Sequence, residues 1–311
     1  MSRIISTGSY LPGKAVSNKE LIEETKIDST DDWIVKRTGI SQRHFASSKE
    51  TVSDLAIESA KNLLKKVRPE LKDQIHTIIV ASMSSLAPTP SVASQVQAAL
   101  GIQKSWAFDI NAACSGFIMA LENAEKMSSS QLKGYTLIIA AEKMSNIIDF
   151  TDRRSSVLFG DGAGAILIEN DGKGLLDYQS NIVSIPDLKK SIHFSKDKDL
   201  LMDGRSVFNF VLREVIPSTA DFIREKGEDF DYLISHQANE RFIKILSKEL
   251  NLSTERLPMN IKELANTSAA SIPILFDQLV SKNKISFNKS QKLLFLGYGG
   301  GLSWGQISLT L

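Results

Sequence analysis

The sequence predicts an α/β protein built from two similar halves. Short β-rich apolar runs alternate with longer runs of helical spacing, the pattern of layered α/β folds. Two stretches echo each other, Ile75-His-Thr-Ile-Ile-Val-Ala-Ser-Met83 and Phe230-Asp-Tyr-Leu-Ile-Ser-His-Gln-Ala238, which suggests a duplicated unit. The length, 311 residues, suits about two domain-sized units.

In chain order, strands are expected at Arg3–Ser9, His76–Met83, Ser105–Ile110, Tyr135–Ala141, Gly164–Glu169, Tyr232–Ser235, Leu293–Leu296 and Gln306–Leu311. Helices are expected at Val52–Val67, Ser91–Leu100, Gly116–Met127, Phe208–Lys226, Glu240–Leu250 and Ser268–Ser281. The echo continues: Pro258-Met-Asn-Ile261 stands as the counterpart of the strand before Cys114, and Leu293–Leu296 as that of Tyr135–Ala141. The polar, turn-rich Glu169-Asn-Asp-Gly-Lys-Gly174 is the expected joint. The halves are then residues 1–170 and 171–311.

Apolar residues make up 42% and charged residues 23%, with a formal net charge of +1. That is ordinary for a soluble globular protein and supplies no global field for nucleic acid or an anionic membrane. The single Cys excludes an intramolecular disulfide and fits a reducing compartment. The first ten residues lack an apolar signal-peptide core, and the longest apolar runs are too short to span a bilayer. A cytoplasmic location is expected.

Cys114 sits in Asn111-Ala-Ala-Cys-Ser-Gly-Phe117, between a strand and a helix. Unpaired N–H groups and the helix dipole at such a turn favour thiolate over thiol. A lone Cys equally fits a small buried hydrophobe, so its companions decide. His236 follows the apolar strand Tyr232-Leu-Ile-Ser235, at the strand end where open α/β sheets place ligands. Asn266, in Ala265-Asn-Thr-Ser-Ala-Ala-Ser-Ile-Pro273, fits a helix cap or an amide donor to an oxyanion. Gly299-Gly-Gly301 fits a bend or a close approach of backbone to ligand.

Other motifs lead elsewhere. Gly160-Asp-Gly-Ala-Gly164 precedes a strand rather than a helix, so the anion site that defines a phosphate loop is missing. No Cys, His and carboxylate cluster has metal-ligand spacing, and His44, His76 and His193 are isolated. No metal site is expected.

Together, Cys114 in Ala-Ala-Cys-Ser-Gly-Phe, His236 in His-Gln-Ala-Asn-Glu-Arg and Asn266 in Asn-Thr-Ser-Ala-Ala-Ser-Ile-Pro resemble the β-ketoacyl-[acyl carrier protein] synthase III family, of the thiolase superfamily. The resemblance runs end to end. It includes Asp32-Trp-Ile-Val-Lys-Arg-Thr-Gly-Ile40, Phe159-Gly-Asp-Gly-Ala-Gly-Ala165 and Gly299-Gly-Gly-Leu-Ser-Trp-Gly305. It implies a thiolase-like five-layered αβαβα sandwich and a homodimer. It implies an acyl-CoA primer that acylates Cys114, then decarboxylative condensation with malonyl-[acyl carrier protein], with no cofactor. His236 and Asn266 would stabilise the enolate, and the N–H groups of Cys114 and Gly300 would form the other oxyanion hole.

The resemblance also assigns Trp33 and Arg153 to the adenine of CoA, Arg37 to its phosphates, and Gly204, Phe208, Ala238 and Asn239 to the pantetheine channel. Arg241, Lys244 and Lys248 share a helix face, which fits a solvated stripe; by resemblance Arg241 docks the carrier protein. Thr89 matches the end of the acyl pocket, reaching across the dimer, where a bulky aromatic is frequent. The smaller Thr suggests longer or branched primers. Two departures concern Asn209, in place of a Lys found in some members, and Ala265, where Gly is common. Alternatives are another acyltransferase of the superfamily, an inactive acyl-binding scaffold, or a cysteine hydrolase, for which no carboxylate is evidently placed to orient His236.

Overall fold

Strands whose residues are apolar on both sides must be covered on both faces. Nearly every side chain of Ile75–Ala81 and Gly134–Glu142 is buried, and these strands lie inside a sheet. The computed structural model describes residues 2–128, 133–195, 199–226 and 229–311. Strands β1 (Arg3–Tyr10), β2 (Ile75–Ala81), β3 (Trp106–Ile110), β4 (Gly134–Glu142) and β5 (Gly162–Asn170) form one sheet in the order β1-β5-β4-β2-β3. β2 runs parallel to β3 and β4, while β5 is antiparallel to β4 and β1. A second sheet has the order β7-β8-β9-β6, from β6 (Gln179–Ser184), β7 (Tyr232–Ser235), β8 (Lys292–Gly299) and β9 (Ser303–Thr310). Here β7 and β8 are parallel and the other pairs antiparallel.

The helices Gly116–Ser128 and Ser271–Ser281 fill the space between the sheets, in one apolar core that includes Phe117, Ile118, Phe276 and Phe295. Helices Val52–Leu64 and Val92–Leu100 cover the outer face of the first sheet. The 204–226 and 240–249 segments cover that of the second. The result is a five-layered αβαβα sandwich. Among the described residues no helix is long and apolar enough to cross a membrane.

The Gly160–Gly164 run serves this packing. A Cβ on Gly164 would stand 2.7 Å from the backbone N of Ile274, so only Gly lets β5 lie against the central helix. Asp161 accepts from the N–H groups of Ala46 and Ser145 and from the Ser145 hydroxyl, tying three loops together. Asp277 of the central helix accepts from Thr7, Ser9 and Lys66, each at 2.7 Å.

Parallel pairing aligns strand ends. Ala81 pairs with both Ile110 and Ala140, and Ser235 pairs with Leu296. The segments after β2, β3, β4, β7 and β8 therefore emerge on neighbouring edges, the edges that carry the candidate residues.

Several expectations are corrected. Pro258–Ile261 is not a strand: it runs into the one-turn helix Ile261–Leu264, and the Asn260 N–H goes to Gln237 Oε1 rather than to a neighbouring strand. The helix expected at Phe208–Lys226 starts earlier, at Gly204, and widens to a π turn at Val211–Val215. Pro217 lacks the N–H that Arg213's carbonyl would take. The helix expected from Ser268 starts at Ser271, after a 3-10 turn over Ser268–Ala270. β6 and the helix Asp31–Thr38 are additional to the expected elements.

Candidate active site

A cavity of about 350 Å³ opens where these strand ends meet, and Cys114, His236 and Asn266 all line it. Cys114 belongs to a 3-10 turn, Ala113–Ser115, that leads into the helix Gly116–Ser128. Ala113 adopts a φ of 46°, in the left-handed region that costs a non-glycine residue about 1–3 kcal/mol. The surroundings hold the turn. Ser115 is fully buried, its hydroxyl 2.7 Å from the Ala112 carbonyl and 2.7 Å from Ser303 Oγ. Gly299 packs so close that a Cβ there would lie 2.6 Å from Cys114 Cβ.

The enclosure sets the ionisation. Cys114 is part-exposed to the cavity, yet loss of solvation, with the Glu142 carboxylate adding, pushes its thiol up to about 12. A hydrogen bond from Ser268 pulls the other way. The thiolate expected from the turn's N–H groups is therefore not the resting form; burial outweighs them.

His236 is 1% exposed. Burial pushes its imidazole down to about 3, so it is neutral near pH 7. Nδ1 lies 2.7 Å from Ser271 Oγ. That hydroxyl accepts from the Gln237 N–H and donates to the Ser268 carbonyl at 2.8 Å. The ring also packs edge-on to Tyr298 at 5.2 Å.

Asn266 is held by one of its two amide ends. Its Oδ1 accepts the Ser268 N–H at 2.8 Å, a turn cap that fixes the amide, and its Nδ2 bonds no protein group among the described residues. Its backbone pairs with Leu158 and Gly160. Ala265, just before it, has φ 58° and ψ −162°, a region nearly reserved for Gly. Its β-carbon is tolerated under strain.

The sequence reading missed a polar chain behind the cysteine. Ser268 Oγ lies 3.4 Å from Cys114 Sγ and 3.1 Å from Glu142 Oε1. Glu142 ends β4, fully buried, and accepts from Ser82, Ser84 and the Met83 N–H. Burial raises its carboxyl to about 7. The available signal was a carboxylate directly after the apolar run Leu137-Ile-Ile-Ala-Ala141.

At the mouth, Trp33 stands between two guanidinium groups, Arg153 at 5.1 Å and Arg37 at 5.7 Å from its ring centroid. Thr30 caps the Trp33 helix, and Arg153 donates to the Asp28 carbonyl. Behind the mouth, Arg43 is fully buried and donates to Asn18 and the Val157 carbonyl.

Of the residues singled out in the sequence, Trp33, Arg37, Arg153, Gly204, Phe208, Ala238, Asn239, Arg241 and Gly300 line the same cavity. Lys244 and Lys248 lie on the helix Glu240–Glu249 outside it, and Lys244 pairs with Glu240 at 3.0 Å. Thr89 is exposed and does not line the cavity of its own chain. Among the described residues no group of three or more His, Cys, Asp and Glu is arranged to hold a metal ion.

Family models for 3-oxoacyl-[acyl-carrier-protein] synthase III and for its C-terminal region match residues 108–182 and 224–311. The chain is 40% identical to a β-ketoacyl-[acyl-carrier-protein] synthase III of Streptococcus sanguinis, over 100% of this chain and 99% of that one. It superposes on the crystal structure of 3-oxoacyl-[acyl-carrier-protein] synthase III from Aquifex aeolicus with a TM-score of 0.92 and 35% identity, covering both chains completely. A priming β-ketosynthase of the R1128 polyketide pathway is similar too, at TM-score 0.91 and 31% identity over 100% of this chain and 96% of that one.

Proposed function

Because the chain belongs to the β-ketoacyl-[acyl-carrier-protein] synthase III family, we propose that it catalyses the condensation that initiates fatty-acid synthesis. An acyl-CoA primer and malonyl-[acyl carrier protein] give 3-oxoacyl-[acyl carrier protein], CoA and CO2. The observation that carries this reading is the convergence of Cys114, His236 and Asn266 on one cavity with a cation-flanked indole at its mouth.

Cys114 attacks the primer thioester and releases CoA, leaving an acyl-Cys114 thioester. The N–H groups of Cys114 and Gly300 stabilise the tetrahedral oxyanion. Malonyl-carrier then loses CO2, and negative charge builds on its thioester oxygen. Neutral donors at His236 Nε2 and Asn266 Nδ2 meet that charge; the depressed basicity of His236 supports an uncharged donor rather than a cation. The carbanion equivalent attacks acyl-Cys114 and frees the thiolate. The chemistry asks for no cofactor, because the thioester and the malonyl carboxylate supply the activation.

Trp33 and Arg153 hold the adenine of CoA, and Arg37 its phosphates. Gly204, Phe208, Ala238 and Asn239 flank the pantetheine arm. Arg241, with Lys244 and Lys248 on the same helix, meets the acidic carrier. A homodimer is supported by β3, an edge strand whose Trp106 is 61% exposed. In that dimer Thr89, on an exposed turn, would border the partner's acyl pocket and leave room for longer or branched primers. Intact-mass spectrometry after exposure to a panel of acyl-CoAs tests the reading. One acyl group on wild type and none on Cys114→Ala is expected; no adduct on wild type with any primer would overturn it.

A further inference from the structure

We infer that Glu142 takes the proton that Cys114 gives up, through the Ser268 hydroxyl, so that the buried pair carries one negative charge between them. The geometry is a chain of three atoms: Sγ, Ser268 Oγ at 3.4 Å, and Glu142 Oε1 at 3.1 Å. A hydroxyl with one proton can donate to one neighbour while accepting from the other, so Ser268 can give its own proton to Glu142 as its oxygen takes the proton of the thiol. Ser268 is held in position between the two groups. It is fully buried, with φ 50°, and its N–H is fixed on Asn266 Oδ1.

The alternatives nearby are poor. His236 is buried and neutral and resists protonation, and burial holds the Tyr298 hydroxyl protonated. Lys143, next in the chain, sends its ammonium to the Ser47 and Glu50 carbonyls. Three donors from the 82–84 segment favour the charged form of Glu142, while burial favours the neutral one. Two buried anions joined by one hydroxyl repel strongly, so the carboxylate is neutral whenever the sulfur is charged.

This deepens the reading proposed above and rests on it for the cycle. The resting pair is thiol and carboxylate. Proton transfer gives thiolate and carboxylic acid. The thiolate forms the acyl thioester, and the departing CoA thiolate takes a proton from solvent. During decarboxylation Glu142 stays neutral, so no fixed anion faces the enolate. When condensation frees the Cys114 thiolate, Glu142 returns its proton.

The test is the pH profile of iodoacetamide alkylation of Cys114, which needs no substrate. Where two groups share a proton, the thiolate population stops rising once the carboxyl has ionised. Wild type should therefore show a flat region opening near pH 7, the value to which Glu142 is raised. Glu142→Gln should instead rise about tenfold per pH unit through that range, and Glu142→Asp should keep a flat region. A wild-type rate that climbs about tenfold per unit without a break overturns the inference, even if Glu142→Gln does not fold. Failure of acyl-CoA loading with a flat profile intact would instead count against the proposed function alone.

Discussion

Gly299→Ala puts the contact between β8 and the nucleophile's turn under direct strain. The new Cβ would stand 2.6 Å from Cys114 Cβ, 3.1 Å from its N and 3.3 Å from its Cα. None of these is the end of a flexible side chain. Ordinary contact begins at 3.4 Å, so about 0.8 Å of displacement is needed at the closest pair. Ser115, bonded to Ala112 and Ser303, blocks an easy retreat. Overpacking of this kind costs about 1–3 kcal/mol, which a domain of this size survives. A nucleophile misplaced by roughly 1 Å loses about 100-fold in rate. The assay is the rate of Cys114 acylation by acyl-CoA, read by intact mass, beside a thermal melt. A folded variant that loads within about threefold of wild type would refute the packing argument, since the magnitude rests on a rate loss of order 100-fold.

Other predictions separate the half-reactions and the charges. Asn266→Ala should lower condensation with malonyl-carrier by about 100- to 1000-fold while acyl loading persists; parallel loss of both, measured as separate half-reactions, would remove Asn266 from the enolate. Arg241→Glu should raise the KM for malonyl-carrier far more than it slows loading, and equal losses in the two assays would end the docking assignment. Glu142 is raised to about 7 from 4.5, so the fold holds a proton the unfolded chain gives up. Its contribution is complete below pH 4.5 and lost as pH rises to about 7. His236, lowered to about 3 from 6.5, acts oppositely, losing stability as pH falls through that window. Glu142→Gln should therefore gain about 3 kcal/mol on wild type between these limits of the Glu142 window, and urea unfolding across that range that shows a constant difference would contradict the shift.

The candidate residues were legible because each sits in a local pattern that physics constrains. Cys114 and His236 follow apolar strands, and parallel pairing brings such ends together. Asn266 was legible as a donor or a cap, and its Oδ1 caps the turn at Ser268. The polar chain behind Cys114 was not legible, since Ser268 and Glu142 are 126 residues apart and meet only through the central layer. The thiol's resting state was misread for the same reason: a sequence displays the N–H groups of its own turn, not what closes over it. β6 escaped because Gln179-Ser-Asn-Ile-Val-Ser184 is polar and half-buried, and it joins the sheet by pairing with β9. Pro258–Ile261 misled because an apparent repeat was read where a side chain, Gln237, had taken the strand's hydrogen bond.

The Gly299 contact also bears on the order of synthesis. Cys114 is translated well before Gly299, which closes on it, and Ser303, which braces its neighbour. A growing polypeptide thus carries its thiol as an ordinary, unassembled side chain until β8 and β9 leave the ribosome. Fragments released before that point lack the enclosure around Cys114.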